Sequence, residues 1–135
     1  KNFLIINDSK STSFSSTVPL LQSYQNIHWI LGGLAKKGDK INLNKKYFKE
    51  IKAYIYGTNI TFFSNVLKNK CRVHSSKNLK DILYKLFSDI KKNNDGKKTI
   101  LFSPAAASFD QFKNFEERGM MFKKEVLEQL KSIDK

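Results

Sequence analysis

The stretch "NLKDILYKLFSDIKKNNDGKKTILFSP", Asn78 to Pro104, decides the fold class. Its first half places Leu79, Ile82, Leu83, Leu86, Phe87 and Ile90 at i, i+3, i+4, i+7, i+8 and i+11. That spacing lines one side of an α-helix and leaves Lys80, Asp81, Lys85 and Asp89 outside the apolar stripe. "NNDG" at Asn93 to Gly96 stops the helix, and "TILF" at Thr99 to Phe102 reads as a short buried strand. Pro104 keeps the residue before it extended. A one-sided helix leading into an apolar strand is the unit of α/β layering.

The same alternation continues in both directions. Upstream, "FLII" at Phe3 to Ile6 is a first strand, followed by a helix over Val18 to Tyr24 with Thr17 as N-cap and Pro19 in its first turn. Ile27 to Leu31 is a second strand, ended by Gly32 and Gly33. "NLNKKYFKEI" is predicted as a helix from the spacing of Leu43, Tyr47, Phe48 and Ile51, and "AYIYG" as a third strand closed by Gly57. A helix through Phe62, Val66 and Leu67 leads to a short strand around Cys71 to His74. Downstream of the opening stretch, Phe122, Val126, Leu130 and Ile133 mark a last helix. The pattern predicts an α/β sandwich with a mostly parallel sheet, and 135 residues suit one domain over the whole of 1–135.

Composition narrows the function classes. No window offers the roughly 20 apolar residues of a membrane-spanning helix, and no secretory leader is visible, so the chain is read as soluble and cytoplasmic, with no membrane partner. Cys71 is the single cysteine, which excludes an internal disulfide and a cysteine-based zinc cluster; it is read as a reduced, half-buried residue. The net charge of +13 suggests nucleic acid, but only two of the 25 basic side chains, Arg72 and Arg118, are arginine. Readers of bases favour the arginine fork, so the lysines are read as a solvated basic surface. The alternative is a basic nucleic-acid-binding α/β module, for which tight, steeply salt-dependent binding to generic DNA or RNA is the signature.

Three polar, small-residue segments each follow a strand: "NDSKST" at Asn7 to Thr12, "GGLAKKGD" at Gly32 to Asp39 and "SPAAAS" at Ser103 to Ser108. In open α/β sheets ligands bind beyond the carboxyl ends of the strands, so three such loops on one edge would converge on a site. They supply Lys10, Lys36 and Lys37 as cations and Thr12 and Ser108 as hydroxyls, a set suited to a carboxylate or phosphate. Each lysine taken without its position reads as a surface charge. No catalytic nucleophile is expected: Ser103 and Ser108 lack a G-x-S-x-G context, and His28 and His74 are read as a structural histidine and a strand-end surface residue. No metal-ligand spacing and no phosphate-binding G-x-x-x-x-G-K-[ST] loop occur; Asp8 and Asp39 are open to a ribose, a metal or a plain turn-making role.

"NDSKST", "LGGLAKKGD" at Leu31 to Asp39 and above all "LFSPAAASFDQFKNFEERG" at Leu101 to Gly119 resemble, in this order, the C-terminal domain of the Mur ligases, the ATP-dependent amide-forming enzymes of peptidoglycan precursor synthesis. The similarity covers essentially the whole chain and is strongest to the branch that adds D-glutamate to UDP-N-acetylmuramoyl-L-alanine. Other branches carry acidic, His- or Asn-containing turns in the first loop, where this sequence has Lys10 and Thr12. The departures are Ser11 where alanine is usual, Ser13 where asparagine is usual, Ala106 in place of a common cysteine, and Leu34 at a position often acidic or variable.

The resemblance implies a Rossmann-like three-layer fold and a domain that binds D-glutamate and closes over ATP. It implies that Thr12, Lys36 and Ser108 hold the two carboxylates of D-glutamate, with the Phe115 backbone N–H as a further donor and Phe109 lining the pocket. Asp8 would contact the ATP ribose or help tie the domains together, and Lys10 would sit near the phosphates and the incoming acid; the family spacing favours Lys36 over Lys37 as the main cation. The implied reaction runs through an acyl phosphate, with ATP, Mg2+ and UDP-N-acetylmuramoyl-L-alanine handled by N-terminal and central domains outside this chain. The start at Lys1 without methionine is read as a cut inside a longer, monomeric enzyme, with a hinge just before Phe3. By itself the fragment is expected to be inactive.

Overall fold

The apolar runs pair into one sheet. In a computed structural model, which describes residues 3–93 and 96–133, β1 (Phe3–Asn7), β2 (Ile27–Gly32), β4 (Ile51–Tyr56), β5 (Arg72–Ser76) and β6 (Lys98–Phe102) form a five-stranded sheet in the order β1-β6-β2-β4-β5. Every pairing is parallel. All five carboxyl ends therefore share one edge. A separate two-residue antiparallel pair joins β3 (Leu34–Ala35) to β7 (Ala106–Ala107). The predicted α/β sandwich with its parallel sheet is the fold observed. The expected hinge before Phe3, and Asn94 and Asp95 of the predicted helix stop, lie outside the described residues.

Side-chain alternation along the strands sorts the core into two layers. Ile27, Trp29 and Leu31 of β2, Ile51, Ala53 and Ile55 of β4 and Leu101 of β6 face one side, where Phe14 and Leu21 of α1 (Phe14–Ser23), Phe48 of α2 (Lys45–Phe48) and Phe63 and Leu67 of α3 (Ile60–Leu67) cover them. Ile30, Tyr54, Tyr56, Ile100 and Phe102 face the other side, against the stripe of α4 (Leu79–Lys92) and Phe122 and Val126 of α5 (Phe115–Ile133). Handedness explains this division. The crossovers β1 to β2, β2 to β4 and β4 to β5 all advance across the sheet in one direction, so right-handed connections put their helices on one face. The step from β5 back to β6 runs the other way and puts α4 on the opposite face.

Three local expectations are corrected. The first helix begins at Phe14 rather than near Val18, so Thr17 is no cap and Pro19 lies inside the helix. Phe14 drives this: its ring is fully buried against Trp29 and Phe63, and that burial offsets the one helix hydrogen bond that Pro19 cannot donate. The helix predicted over "NLNKKYFKEI" shrinks to the four residues of α2, because Ile51 is taken by β4, where it pairs with Ile27. His74 is no strand-end surface residue. It sits in mid-β5, half-buried and stacked on Tyr54 with ring centroids 5.1 Å apart. The clearest predicted helix, α4, starts at Leu79 with Asn78 as N-cap, its side-chain oxygen accepting from Asp81 N at 2.9 Å.

Candidate functional site

The three loops meet at the carboxyl edge of the sheet, and the contacts that join them are specific. From the first loop, Asp8 N donates to the Phe102 carbonyl at 2.7 Å, and Ser11 N closes a turn on the Asp8 carbonyl at 3.0 Å. Asp8 Oδ2 accepts from Ser103 Oγ at 2.8 Å, which ties the first loop to the third. The second and third loops pair directly through Leu34 with Ala107 and Ala35 with Ala106. Asp39 ties the second loop to the first helix: Ser13 makes no side-chain cap, and Asp39 Oδ2 instead accepts from Phe14 N at 2.8 Å. Asp39 thus acts as a cap supplied from a neighbouring loop, a role that the sequence reading did not name, and its Oδ1 also accepts from Lys40 N at 3.1 Å within its own turn. Gly33, at φ +125°, is required where these loops touch, since a Cβ there would stand 2.5 Å from the Ala107 carbonyl oxygen.

Arg118 is the residue that sequence reasoning missed. It lies on α5, fully buried, and its guanidinium reaches across to the loops. Nη1 donates to the Ala106 carbonyl at 2.7 Å, Nε to Ser9 Oγ at 3.1 Å, and Nη2 to the carbonyls of Ser9 and, at 3.3 Å, Ser11. Ser9 Oγ in turn donates to the Phe115 carbonyl at 2.7 Å, and Asn7 Nδ2 to the Gly119 carbonyl at 3.0 Å. Burial lowers the Arg118 pKa from its ordinary value, and the nearby Tyr56, Asp110 and Asp8 act in the opposite direction. Burial likewise pushes the Tyr56 phenol up; its hydroxyl and Asp110 Oδ1 are enclosed without a hydrogen-bond partner among the described residues. A signal for Arg118 was present: it is one of two arginines in a chain that otherwise uses lysine, and a planar guanidinium with five N–H donors suits several carbonyls at once.

The first loop consequently alternates. Ser9 and Ser11 turn inward, at 7 % and 1 % exposure, while Lys10 and Thr12 are exposed on the rim. Lys36 and Lys37 are also exposed, one step beyond β3. A shallow groove of ≈ 520 Å³ runs between the first loop and the start of α5, and brings together Asp8, Lys10 and Phe115 with Glu116, Met120 and Lys123. That groove does not take in Thr12, Lys36, Ser108 or Phe109. Phe109 is 69 % exposed on the third loop, whereas Ser108 is nearly enclosed at 3 %, its carbonyl accepting from Gln111 and Phe112. Phe115 opens α5, with Asn114 Oδ1 accepting from Glu117 N at 2.8 Å. Helices α1, α3, α4 and α5 all start at this edge, so their partial positive ends add to the lysine charge there.

A larger depression, ≈ 650 Å³, lies at the opposite edge between Lys49, Lys52, Cys71 and Arg72. Burial pushes the Cys71 thiol up to about 11, which keeps it unreactive. The loops are not there, and the carboxyl rim is the better candidate. Among the described residues no three His, Cys, Asp or Glu side chains gather into a cluster that could hold a metal ion. Among the described residues, too, no helix is long and apolar enough to cross a membrane.

No family model matches the chain. Individual proteins do. The UDP-N-acetylmuramoylalanine–D-glutamate ligase of Wolbachia pipientis wMel is 43% identical over 122 residues, 90% of this chain and 24% of the ligase. That of Rickettsia bellii is 40% identical over 117 residues, 86% of the chain and 26% of the ligase. That of Rhizobium meliloti is 37% identical over 119 residues, 88% of the chain and 26% of the ligase. The chain thus spans about a quarter of the length of the curated relatives it matches. With its parallel sheet and its three stitched loops, the chain is homologous to that quarter of the UDP-N-acetylmuramoylalanine–D-glutamate ligases.

Proposed function

We propose that the chain is the C-terminal domain of a cytoplasmic, monomeric ligase that adds D-glutamate to UDP-N-acetylmuramoyl-L-alanine, and that its carboxyl rim receives the D-glutamate. The observation that carries this reading is the meeting of three loops on one edge, with Lys10, Thr12 and Lys36 exposed along it. An amino acid with two carboxylates needs cations and hydroxyl donors on a fixed frame, because charge-assisted hydrogen bonds gain most when the donors are already in place. In this reading Lys36, Thr12 and Ser108 hold the carboxylates, the Phe115 backbone N–H is a further donor, and Phe109 borders the ligand. Asp8 and Lys10 face the ATP ribose and phosphates from the neighbouring groove.

The reaction begins when ATP phosphorylates the terminal carboxylate of UDP-N-acetylmuramoyl-L-alanine, giving an acyl phosphate and ADP. The D-glutamate amine attacks the acyl carbon, a proton leaves the nitrogen, and the tetrahedral intermediate expels phosphate as the amide forms. The rim supplies orientation and charge clamping to this sequence and no nucleophile. The remaining machinery, including any Mg2+ site, belongs to the other three quarters of the enzyme. The test is twofold. The purified 135-residue chain should show neither ATP hydrolysis nor ligation, and turnover by it would overturn the division of labour proposed here. D-glutamate titrated into the chain should shift the NMR signals of Thr12 and Lys36 before those of the opposite edge; the reverse order removes the rim from consideration.

A further inference from the structure

The first loop is held by a chain of hydroxyls whose direction can be deduced. Asp8 Oδ2 accepts from Ser103 Oγ at 2.8 Å. A hydroxyl has a single proton, so with that proton committed Ser103 Oγ must accept from Thr17 Oγ1, 2.6 Å away. The Thr17 proton is then spent, and Thr17 Oγ1 must accept from Ser11 Oγ at 2.7 Å. The Ser11 oxygen keeps its lone pairs free and accepts from Ala105 N at 3.2 Å. Ser16 Oγ, 3.1 Å from Ser11 Oγ, has its shorter bond of 2.8 Å to the Ser13 carbonyl and does not disturb the order. Three separate segments are joined in this way: the first loop, helix α1 and the loop after β6. The Ser103 carbonyl is itself pinned to the core by Trp29 Nε1 at 2.7 Å. Ser11, Thr17 and Ser103 are all at most 1 % exposed, so water cannot replace a missing partner.

We propose that Thr17 and Ser103 are positioning residues for the ligand-holding loop: through Ser11 they fix the turn between Lys10 and Thr12 and so aim both exposed side chains at the rim. This rests on the reading of the rim as the place where the acidic ligand is held. Arg118 fixes the same turn through the carbonyls of Ser9 and Ser11, but it has no bearing on the Ser11 side chain. The hydroxyl chain acts on that side chain and keeps it from exchanging places with its neighbours. Asp8 is its terminus, and Asp8 also borders the groove, so one carboxylate serves both the frame and the open surface.

Amide hydrogen exchange on the folded 135-residue chain tests this without any ligand, in the unsubstituted protein, Thr17→Val and Thr17→Ser. Valine keeps the shape and removes the hydroxyl; serine restores it. In Thr17→Val the amides of Ser11 and Ala105 should exchange about tenfold faster, the effect of one lost net hydrogen bond, and the backbone shifts of Lys10 and Thr12 should move. Thr17→Ser should return both toward the unsubstituted values, while the Ile30 and Leu101 amides in the sheet keep their rates throughout. Unchanged exchange at Ser11 and Ala105 in Thr17→Val, or a serine variant no better than the valine one, overturns the proposal. Should Thr17→Val not fold, Ser103→Ala, which leaves α1 intact, is held to the same two reporters with the same consequences. A failure of D-glutamate to bind counts against the preceding reading alone.

Discussion

At the carboxyl rim, hydroxyls of Ser11, Thr17 and Ser103 form a chain that ends on one carboxylate, and the guanidinium of Arg118 bonds to backbone carbonyls of the first and third loops. Beneath α4, on the second face of the sheet, a different polar group is buried. Tyr54 donates to Asp89 Oδ2 at 3.0 Å and lies 3.5 Å from His28 Nδ1, while His74 Nε2 and Lys85 Nζ approach Asp89 at 3.6 and 3.1 Å. The rim network binds backbone and leaves Lys10 and Lys36 outside it. The network beneath α4 joins side chains to one another around Asp89 and leaves His28 Nε2 enclosed without a partner among the described residues. Polar burial that fixes loop backbone while freeing lysines is what a binding edge requires; polar burial that closes on itself serves packing.

Breaking the rim should have the largest effect. Arg118→Met strands the carbonyls of Ser9, Ser11 and Ala106 in a dry setting, and the free energy of unfolding should fall by about 3 to 5 kcal/mol. Urea denaturation measures this, and a loss below about 1 kcal/mol would mean that the carbonyls find other partners. The network beneath α4 should respond to acid. Burial, joined by the charges of Lys52 and Lys98 and opposed by Asp89, lowers the His28 pKa from 6.5 to about 4. Between these two values the unfolded chain takes up a proton that the folded chain does not. Stability is therefore level above pH 6.5 and decreases as the pH falls toward 4, by about 3 kcal/mol from this group. His74, lowered first by burial as well, adds to the same fall. Denaturation of His28→Leu across this window should show a flatter profile; an unaltered slope would assign the acid sensitivity elsewhere.

Two smaller effects sharpen the contrast. In the intact ligase, Lys36→Ala should weaken the use of D-glutamate by about 1.5 to 3 kcal/mol, the loss of a charge-assisted bond, with folding stability unchanged because the side chain is exposed. Steady-state constants for D-glutamate that do not move would remove Lys36 from the site. Lys85→Ala should cost only about 0.3 to 0.5 kcal/mol of stability, since its i,i+4 pair with Asp89 is solvent-facing on the lysine side. A loss of several times that size, read by the same denaturation, would mean that Asp89 holds the second network through Lys85 rather than through Tyr54.

Much of the frame could be read before any coordinates. The α4 stripe is buried at all six of its predicted positions, the apolar runs at Ile27 and Thr99 are central strands, and the loops that follow strands lie together. The misreadings share one cause. Thr17 and Pro19 carry local signals for a helix start, and Ile51 fits a helical spacing, yet in each case a partner distant in sequence decided the outcome. Phe14 gains more from packing on Trp29 and Phe63 than α1 loses at Pro19, and Ile51 gains a place beside Ile27. Along the carboxyl rim, the cations and hydroxyls that the loops carry were legible because chemistry shows in residue type. What fixes those loops was not, because serine and threonine look the same in a sequence whether they face solvent or a buried partner, and the rarity of arginine does not say which carbonyls Arg118 meets.

By itself, then, the sequence determined the layering of helices on a parallel sheet, since apolar periodicity fixes which faces must be buried. It also determined which loops carry cations, through the order of strands and polar turns. Only the tertiary structure decided that Ser9 and Ser11 point inward between Lys10 and Thr12, that Asp39 caps a helix from another loop, and that Arg118 clamps three carbonyls. The physical reason is the range of the forces involved. Hydrophobic burial acts on any apolar side and is written locally, whereas a hydrogen bond needs its partner within about 3 Å and exists only once distant segments have been brought together.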